Sequence, residues 1–355
     1  MIRRSIAIAT LAVSLLAFGC SSTPSVDAVE GFRDWIASRR ELVGLVVFDG
    51  ADREPVIALN GDGRFPLAST RKVLILGAYA EQVAAGRLDP ATRVPVAEIE
   101  RWYWPGTDGG AHQRALDDWA ERRRVSRGSV AVEDVVHAMI RWSDNAASDE
   151  VLQRVGGPAP VADYARRIGM RRQDPLMPIL GEYAAWSTQT PDAWRALGPA
   201  TRAERGAALA LSTTKQDSAS LAGPSIDDQR RFARSSPSGS PREWAELIRR
   251  LHAGTSGIRG ASIVQRHLAW PLEAFTSNRE RFDRFGAKGG RLAGVMTDVA
   301  YIRPKVQRPI AAALFLRDLP SEIEEQLGES FVQQRFLVRL AEDATFLRDT
   351  SEVLR

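Results

Sequence analysis

Apolar positions along the chain change their period in a fixed order. Between residues 29 and 40 they recur at helical spacing (Val29, Phe32, Trp35, Ile36), which predicts a short amphipathic helix. ELVGLVVFDG follows as a nearly continuous apolar run, closed by Asp49-Gly50. EPVIALNGDGR ends on Asn60-Gly61, so two strands joined as a hairpin are expected. FPLASTRKVLILGAYAEQVAAGRLDP then predicts a long helix from about Ser69 to Gly86. From about Pro90 to Gln265 the pattern is mostly helical, with VEDVVHAMIRW, APVADYARRIGM, PDAWRALG, RAERGAALALS and PREWAELIRRLHAG as its segments. Two polar breaks interrupt it: RWYWPGTDGGAH and the Ser-rich SASLAGPSIDDQRRFARSSPSGSPRE. The end of the chain returns to strands: RFGAKGGRLAG and VMTDVAYIRP about a glycine turn, then PIAAALFLRDL. ESFVQQRFLVRLAEDATFL closes it as an amphipathic helix.

Strands contributed from both ends of a chain imply one α/β layer with a helical block inserted in its middle. The expected division is an α/β part over 29–67 and 266–355 and an all-helical part over 68–265, with the site at their interface. The 355 residues are enough for a large core, and 44% hydrophobic and 26% charged residues are ordinary globular values. The net charge of +4 would fall to +2 on loss of Arg3 and Arg4, too little to suggest nucleic acid. His112, His137, His252 and His267 show no metal-ligand spacing. There is no phosphate-cradling loop, so neither metal nor cofactor is expected, and a monomer is.

The N-terminus reads MIRRSIAIATLAVSLLAFGC. Two arginines precede an apolar run from Ile6 to Phe18 that is too short to span a bilayer comfortably and has the form of a signal peptide. It resembles a bacterial lipoprotein signal, in which Cys20 would take the lipid and SSTPSVDA would follow as a tether. Ala17 stands where leucine is usual, and an ordinary secretory signal is the alternative. Cys20 is the sole cysteine, so no intrachain disulfide can form.

Basic charge here is carried almost wholly by arginine. The lysines are Lys72, Lys215, Lys288 and Lys305. Lysine can shed its proton when buried and arginine cannot, so a lysine in such a chain hints at proton chemistry. Ser69 and Lys72 stand three apart at a helix start and share a face. There the amine can take the hydroxyl proton of a serine nucleophile, and the free N–H groups of the helix end favour developing negative charge. The plainer reading is a capping serine and a solvated lysine. A second S-x-x-K, Ser212 to Lys215, falls at a helix end and reads as surface. Ser143-Asp144-Asn145 lies at a helix junction; Ser143 can pass a proton and the Asn145 amide can hold a carbonyl, or the triplet is simply an N-cap. Lys288-Gly289-Gly290-Arg291 lies on a late strand. Glycines there mark close approach to the backbone, Lys288 adds positive charge for a carboxylate, and the Arg291 N–H can join that of Ser69 in an oxyanion hole. A bulged strand is the alternative.

Taken in order, S-x-x-K, S-D-N and K-G-G resemble the motifs of the penicillin-recognising serine hydrolases, closest to the class A β-lactamase group. The resemblance covers about residues 29–350. It implies the β-lactamase-like (DD-peptidase) fold, an antiparallel sheet with flanking helices plus an inserted helical domain. It also implies an acyl-enzyme on Ser69 and a β-lactam or peptidoglycan-derived acyl substrate. The chain departs from the pattern in three ways. Gly289 replaces a Thr or Ser hydroxyl that helps grip a substrate carboxylate, a role Arg291 or another Arg can take over. The resemblance places on a loop after S-D-N a glutamate that positions deacylating water; Glu182, in RRQDPLMPILGEYAAWS, is the nearest candidate, but Trp186 stands where its asparagine partner is expected, and a solvated loop residue is the alternative. The spacing between motifs is long, and RWYWPGTDGGAH, with Trp102, Tyr103 and Trp104, either walls the cleft or packs on itself. The leading expectation is a lipid-anchored extracytoplasmic serine hydrolase. A D,D-peptidase or esterase of the same fold and a non-catalytic envelope-binding lipoprotein are its rivals.

Overall fold

The structure is a computed structural model that describes residues 26–50, 52–214, 217, 223–253 and 257–355. Cys20 with its leader, most of the tether, and Lys215 lie outside these. Nine strands occur among the described residues. β1 (Val43–Asp49) and β2 (Ile57–Leu59) form the expected hairpin, and β3 (Phe65–Pro66) leads to Ser69. β4 (Arg93–Pro95) pairs with β5 (Ser129–Ala131), while β6 (Ser238–Gly239) pairs with β3. β7 (Phe282–Leu292), β8 (Val295–Pro304) and β9 (Ile310–Leu316) complete a five-stranded antiparallel sheet in the order β2-β1-β9-β8-β7. β7 is therefore an edge strand.

The continuous apolar runs of β1 and β9 follow from burial on both faces. Val46 and Phe48 of β1, with Ala313 and Phe315 of β9, face the helical side. Leu45, Val47, Ala312 and Leu314 face the Val29–Ser38 helix and the C-terminal helices. Each fully buried Val, Leu or Phe side chain among these contributes about 1.5–3 kcal/mol relative to exposure. The helical core is organised around the Lys72–Ala84 helix, whose residues 72–80 are all buried. The Pro241–His252 helix, within the stretch expected as helical block, packs on β1, β8 and β9.

Three expectations change in detail. The helix expected from Ser69 begins at Lys72, after a 3₁₀ turn over Ala68–Arg71. The single closing helix is three: Ser321–Ser330, Val332–Glu342 and Ala344–Val353. They break at Phe331, whose φ is +52°, and at Asp343, which caps the last by accepting from the Thr345 and Phe346 amides at 3.0 Å. Helical periodicity carries through both breaks, so the pattern alone does not show them. The segment around Glu182, expected as loop, is the Ile179–Thr188 helix. Among the described residues no helix is long and apolar enough to cross a membrane.

Candidate active site

The turn carrying Ser69 is set by backbone geometry. Leu67 is already helical, Ala68 takes φ +46°, and the Thr70 amide and hydroxyl both bond back to the Leu67 carbonyl. This leaves Ser69 half-buried at the wall of a cleft of about 750 Å³. One turn on, Lys72 is completely buried. Its Nζ lies 3.1 Å from Ser69 Oγ, 2.6 Å from the Ser143 carbonyl, 3.2 Å from Ser143 Oγ and 2.8 Å from Asn145 Oδ1. Burial, then the positive charges of Lys288 and Arg71, hold its pKa well below the usual lysine value.

That balance determines what the amine can do. A neutral amine has two hydrogens and one lone pair. The hydrogens suit the two shortest contacts, to the Ser143 carbonyl and Asn145 Oδ1, and the lone pair is left for the Ser69 hydroxyl. The same contacts that fix Lys72 thus orient it as a proton acceptor.

Ser143 reaches this position through a left-handed backbone, φ +63°, uncommon for a residue with a side chain. Its hydroxyl oxygen accepts from Lys288 Nζ at 2.9 Å and lies 3.2 Å from Lys72 Nζ, so it stands between the two amines. Lys288 donates in addition to the Gly289 carbonyl at 2.5 Å, and burial lowers its pKa against the pull of Asp298. Gly290 is required by proximity: a methyl group there would stand 2.4 Å from the Ser69 amide nitrogen. β7 is therefore pressed against the turn that carries Ser69. The Arg291 side chain is half exposed, with Nε 3.4 Å from Glu324 Oε1.

Six of the expected site residues are thus drawn together: Ser69, Lys72, Ser143, Asn145, Lys288 and Gly290. Gly289 and Arg291 line the same cleft. Glu182 is placed otherwise. Its carboxylate pairs with Arg71 at 2.6 Å and accepts from Ser236 Oγ at 2.5 Å, with both ion-pair partners buried. Ile179, Tyr183 and Trp186 of the same helix face the cleft. Of the aromatic cluster, Trp102 and Trp104 are buried in the helical core, Trp102 donating to Glu150 Oε2 at 2.9 Å. Tyr103 stacks on His112 with ring centroids 4.5 Å apart. Thr107, Asp108 and Gly109 of that segment wall the cleft. Ser212 is exposed at its helix end.

Two positioning residues make contacts the sequence reading does not name, although it offers the Ser143–Asn145 triplet as an N-cap. Asp144 caps the Asn145–Arg154 helix, accepting from the Ala146 and Ala147 amides at 2.8 and 3.3 Å. Its other oxygen holds His112 Nδ1 at 3.0 Å. Burial disfavours charge on His112, but Asp144 outweighs it and the pKa is raised. Asp149 is buried and accepts from the Ile179 and Leu180 amides at 2.8 and 2.7 Å, fixing the start of the helix that carries Glu182. It lies one turn after Asn145, a spacing that could have marked it. Among the described residues no His, Cys, Asp and Glu group could hold a metal ion.

Residues 28–334 match the Beta-lactamase enzyme family. The β-lactamase CARB-4 of Pseudomonas aeruginosa is 28% identical over 126 residues, which cover 35% of this chain and 38% of that protein. The alignment thus spans well under half of that relative. Among solved structures, the class A β-lactamase of the last common ancestor of Gram-negative bacteria is similar with a TM-score of 0.53 and 19% identity, over 87% of this chain and 98% of that one. The chromosome-encoded β-lactamase of Vibrio parahaemolyticus is similar with a TM-score of 0.54 and 14% identity, over 89% and 100%. At such identities these two show the fold, an antiparallel sheet with flanking helices. The profile match over most of the chain shows more than the fold, and by it the chain belongs to the beta-lactamase enzyme family.

Proposed function

We propose that the protein is a serine hydrolase that opens a β-lactam or a related amide or ester through an acyl-enzyme on Ser69. The observation that carries this is the buried Lys72 amine, within 3.1 Å of Ser69 Oγ and anchored by Ser143 and Asn145. Ser69 Oγ attacks the carbonyl carbon, and its proton passes to the Lys72 lone pair. The negative charge that develops on the carbonyl oxygen is received by backbone N–H groups at Ser69 and Arg291. The C–N or C–O bond then breaks. The leaving atom takes a proton from the Ser143 hydroxyl, which is resupplied by the amine beside it. Asn145 holds the substrate carbonyl and Lys288 keeps the Ser143 bridge in place. The leader and Cys20 support an extracytoplasmic, lipid-anchored protein.

The placement of Glu182 favours a second reading of the later step. Its carboxylate is engaged by Arg71 and Ser236, and the cleft-facing positions of its helix are Ile179, Tyr183 and Trp186. A water beside the acyl group then lacks the Glu182 carboxylate as its base, and release is slow, as in a D,D-peptidase or penicillin-binding protein. A fluorescent penicillin should label the purified protein and fail to label Ser69→Ala. Intact mass followed over time separates fast release from a persisting acyl-enzyme. Unlabelled wild-type protein, with no acyl adduct by mass for a penicillin or a simple ester, would overturn the proposal.

A further inference from the structure

A second cavity, of about 450 Å³, lies beside the turn between β7 and β8; Ala293 of that turn lines both it and the cleft. Five arginines line it, Arg64, Arg202, Arg230, Arg234 and Arg317, against two carboxylates, Asp174 and Asp318. Three of these arginines have an acid partner. Arg64 pairs with Asp174, Arg234 Nε lies 2.6 Å from Asp318 Oδ1, and Arg230 Nη2 lies 2.7 Å from Glu324 Oε2. Among the described residues Arg202 and Arg317 have none. Arg317 donates to the Arg64 and Glu41 carbonyls at 2.9 and 3.4 Å, and its guanidinium lies over the Phe65 ring. Two positive charges of the lining are therefore left without a counter-ion.

Arg202 makes this more than a patch of basic surface. The residue is 8% exposed and stands in the first turn of the Pro199–Ser212 helix. Its Nη1 donates to the Arg195 and Leu197 carbonyls, while its Nε is buried without a hydrogen-bond partner. Burial lowers its pKa against the attraction of Asp174 and Glu182, whose own ion pairs are with Arg64 and Arg71. The same helix starts at the cavity wall with Pro199, and no side chain caps its first turn. The free N–H groups and dipole of that helix end add to the attraction for an anion. A buried guanidinium with an unpaired donor is costly, and an anionic acceptor relieves it.

We propose that this cavity binds a phosphate dianion, free or as the terminal group of a phosphomonoester, apart from the cleft that holds Ser69. The two guanidiniums without counter-ions match a dianion in charge. Each presents its N–H groups in a planar fork that suits the paired oxygens of a phosphate. A monocarboxylate offers a single charge and leaves part of the positive excess uncompensated. No step of the acylation uses these arginines, so the site stands independently of that chemistry.

The test is calorimetric titration of the purified protein with inorganic phosphate, glycerol phosphate and acetate, at one ionic strength and a mildly alkaline pH where phosphate is a dianion. Inorganic phosphate or glycerol phosphate should saturate at one per chain, and the tighter of the two shows whether the free or the esterified form is the ligand. Acetate should bind at least about tenfold more weakly, the loss expected with one charge-assisted hydrogen bond. Arg202→Gln should weaken phosphate binding about tenfold or more, and Arg234→Gln, at the exposed side of the cavity, should weaken it about threefold. Lys288→Met, which changes the cleft alone, should bind phosphate as wild type does. Should Arg202→Gln fail to fold, Arg234→Gln and Lys288→Met decide between the cavity and the cleft. The proposal is overturned by the absence of saturable binding of either phosphate, by acetate binding as tightly as phosphate, or by affinity lost in Lys288→Met and kept in the arginine variants.

Discussion

Replacing Glu182 with glutamine removes one charge from a pair that the fold has taken out of water. The Arg71 and Glu182 side chains are 5% and 2% exposed, with nitrogen and oxygen 2.6 Å apart. Arg71 cannot neutralise itself, so the variant leaves a buried guanidinium without its counter-ion. Breaking such a pair from one side costs about 3–5 kcal/mol. Glutamine keeps a partner for Ser236, which places the expectation at the lower end, about 3 kcal/mol. At roughly 2 °C per kcal/mol for a chain of this size, Tm should fall by roughly 6 °C. Thermal unfolding followed by circular dichroism reads this directly. A penicillin pulse on the same preparations, followed by intact mass, reads the lifetime of the acyl-enzyme. The expected result is a lower Tm with an acyl lifetime within about twofold of wild type. The paired replacement Arg71→Met with Glu182→Leu should recover most of the lost stability. An unchanged Tm with an acyl-enzyme that persists at least tenfold longer would refute the reasoning, because Glu182 would then be acting on the deacylating water.

Lys72→Met should abolish acylation while raising Tm. The folded state disfavours the charged amine and the unfolded chain protonates it up to its ordinary pKa, so burial of Lys72 costs stability that is regained only as pH rises toward 10.5. For the same reason the wild-type acylation rate should stay high well below that pH and fall as the medium becomes acidic enough to protonate Lys72; a rate that drops as pH falls through 10 would contradict it. Gly290→Ala places a methyl group 2.4 Å from the Ser69 amide and must push β7 away from the nucleophile turn; acylation should fall on the order of 10²-fold, as for loss of an oxyanion donor, with Tm much less affected. Asp144→Ala removes a helix cap and the partner of His112 together; it should cost about 1–3 kcal/mol in chemical denaturation, and a stability equal to wild type would show the pair to be idle.

The order of elements was legible in the sequence because each strand and helix carries its own period and its own punctuation. Asp49-Gly50 and Asn60-Gly61 close β1 and β2, and Gly294 turns β7 into β8 with φ +73°. Ser69, Lys72, Ser143, Asn145 and Lys288 were legible for a different reason. Three short patterns in a fixed order are unusual together, and two of the four lysines fall within them. Local pattern, however, says nothing about which distant group a side chain meets. Glu182 could have faced the cleft or Arg71; the choice fell to the start of its helix, held by Asp149 on another helix, and to Ser236, 54 residues further on. Asp298 reads in the sequence as an ordinary polar residue in a strand. It becomes part of the cleft only because the ladder sets it opposite a glycine, on an edge strand whose free side is the cleft wall. Sequence fixes periodicity and chemistry residue by residue, whereas burial and charge pairing depend on contacts between segments far apart in the chain. Those contacts decide which of the available acids and bases are turned toward Ser69.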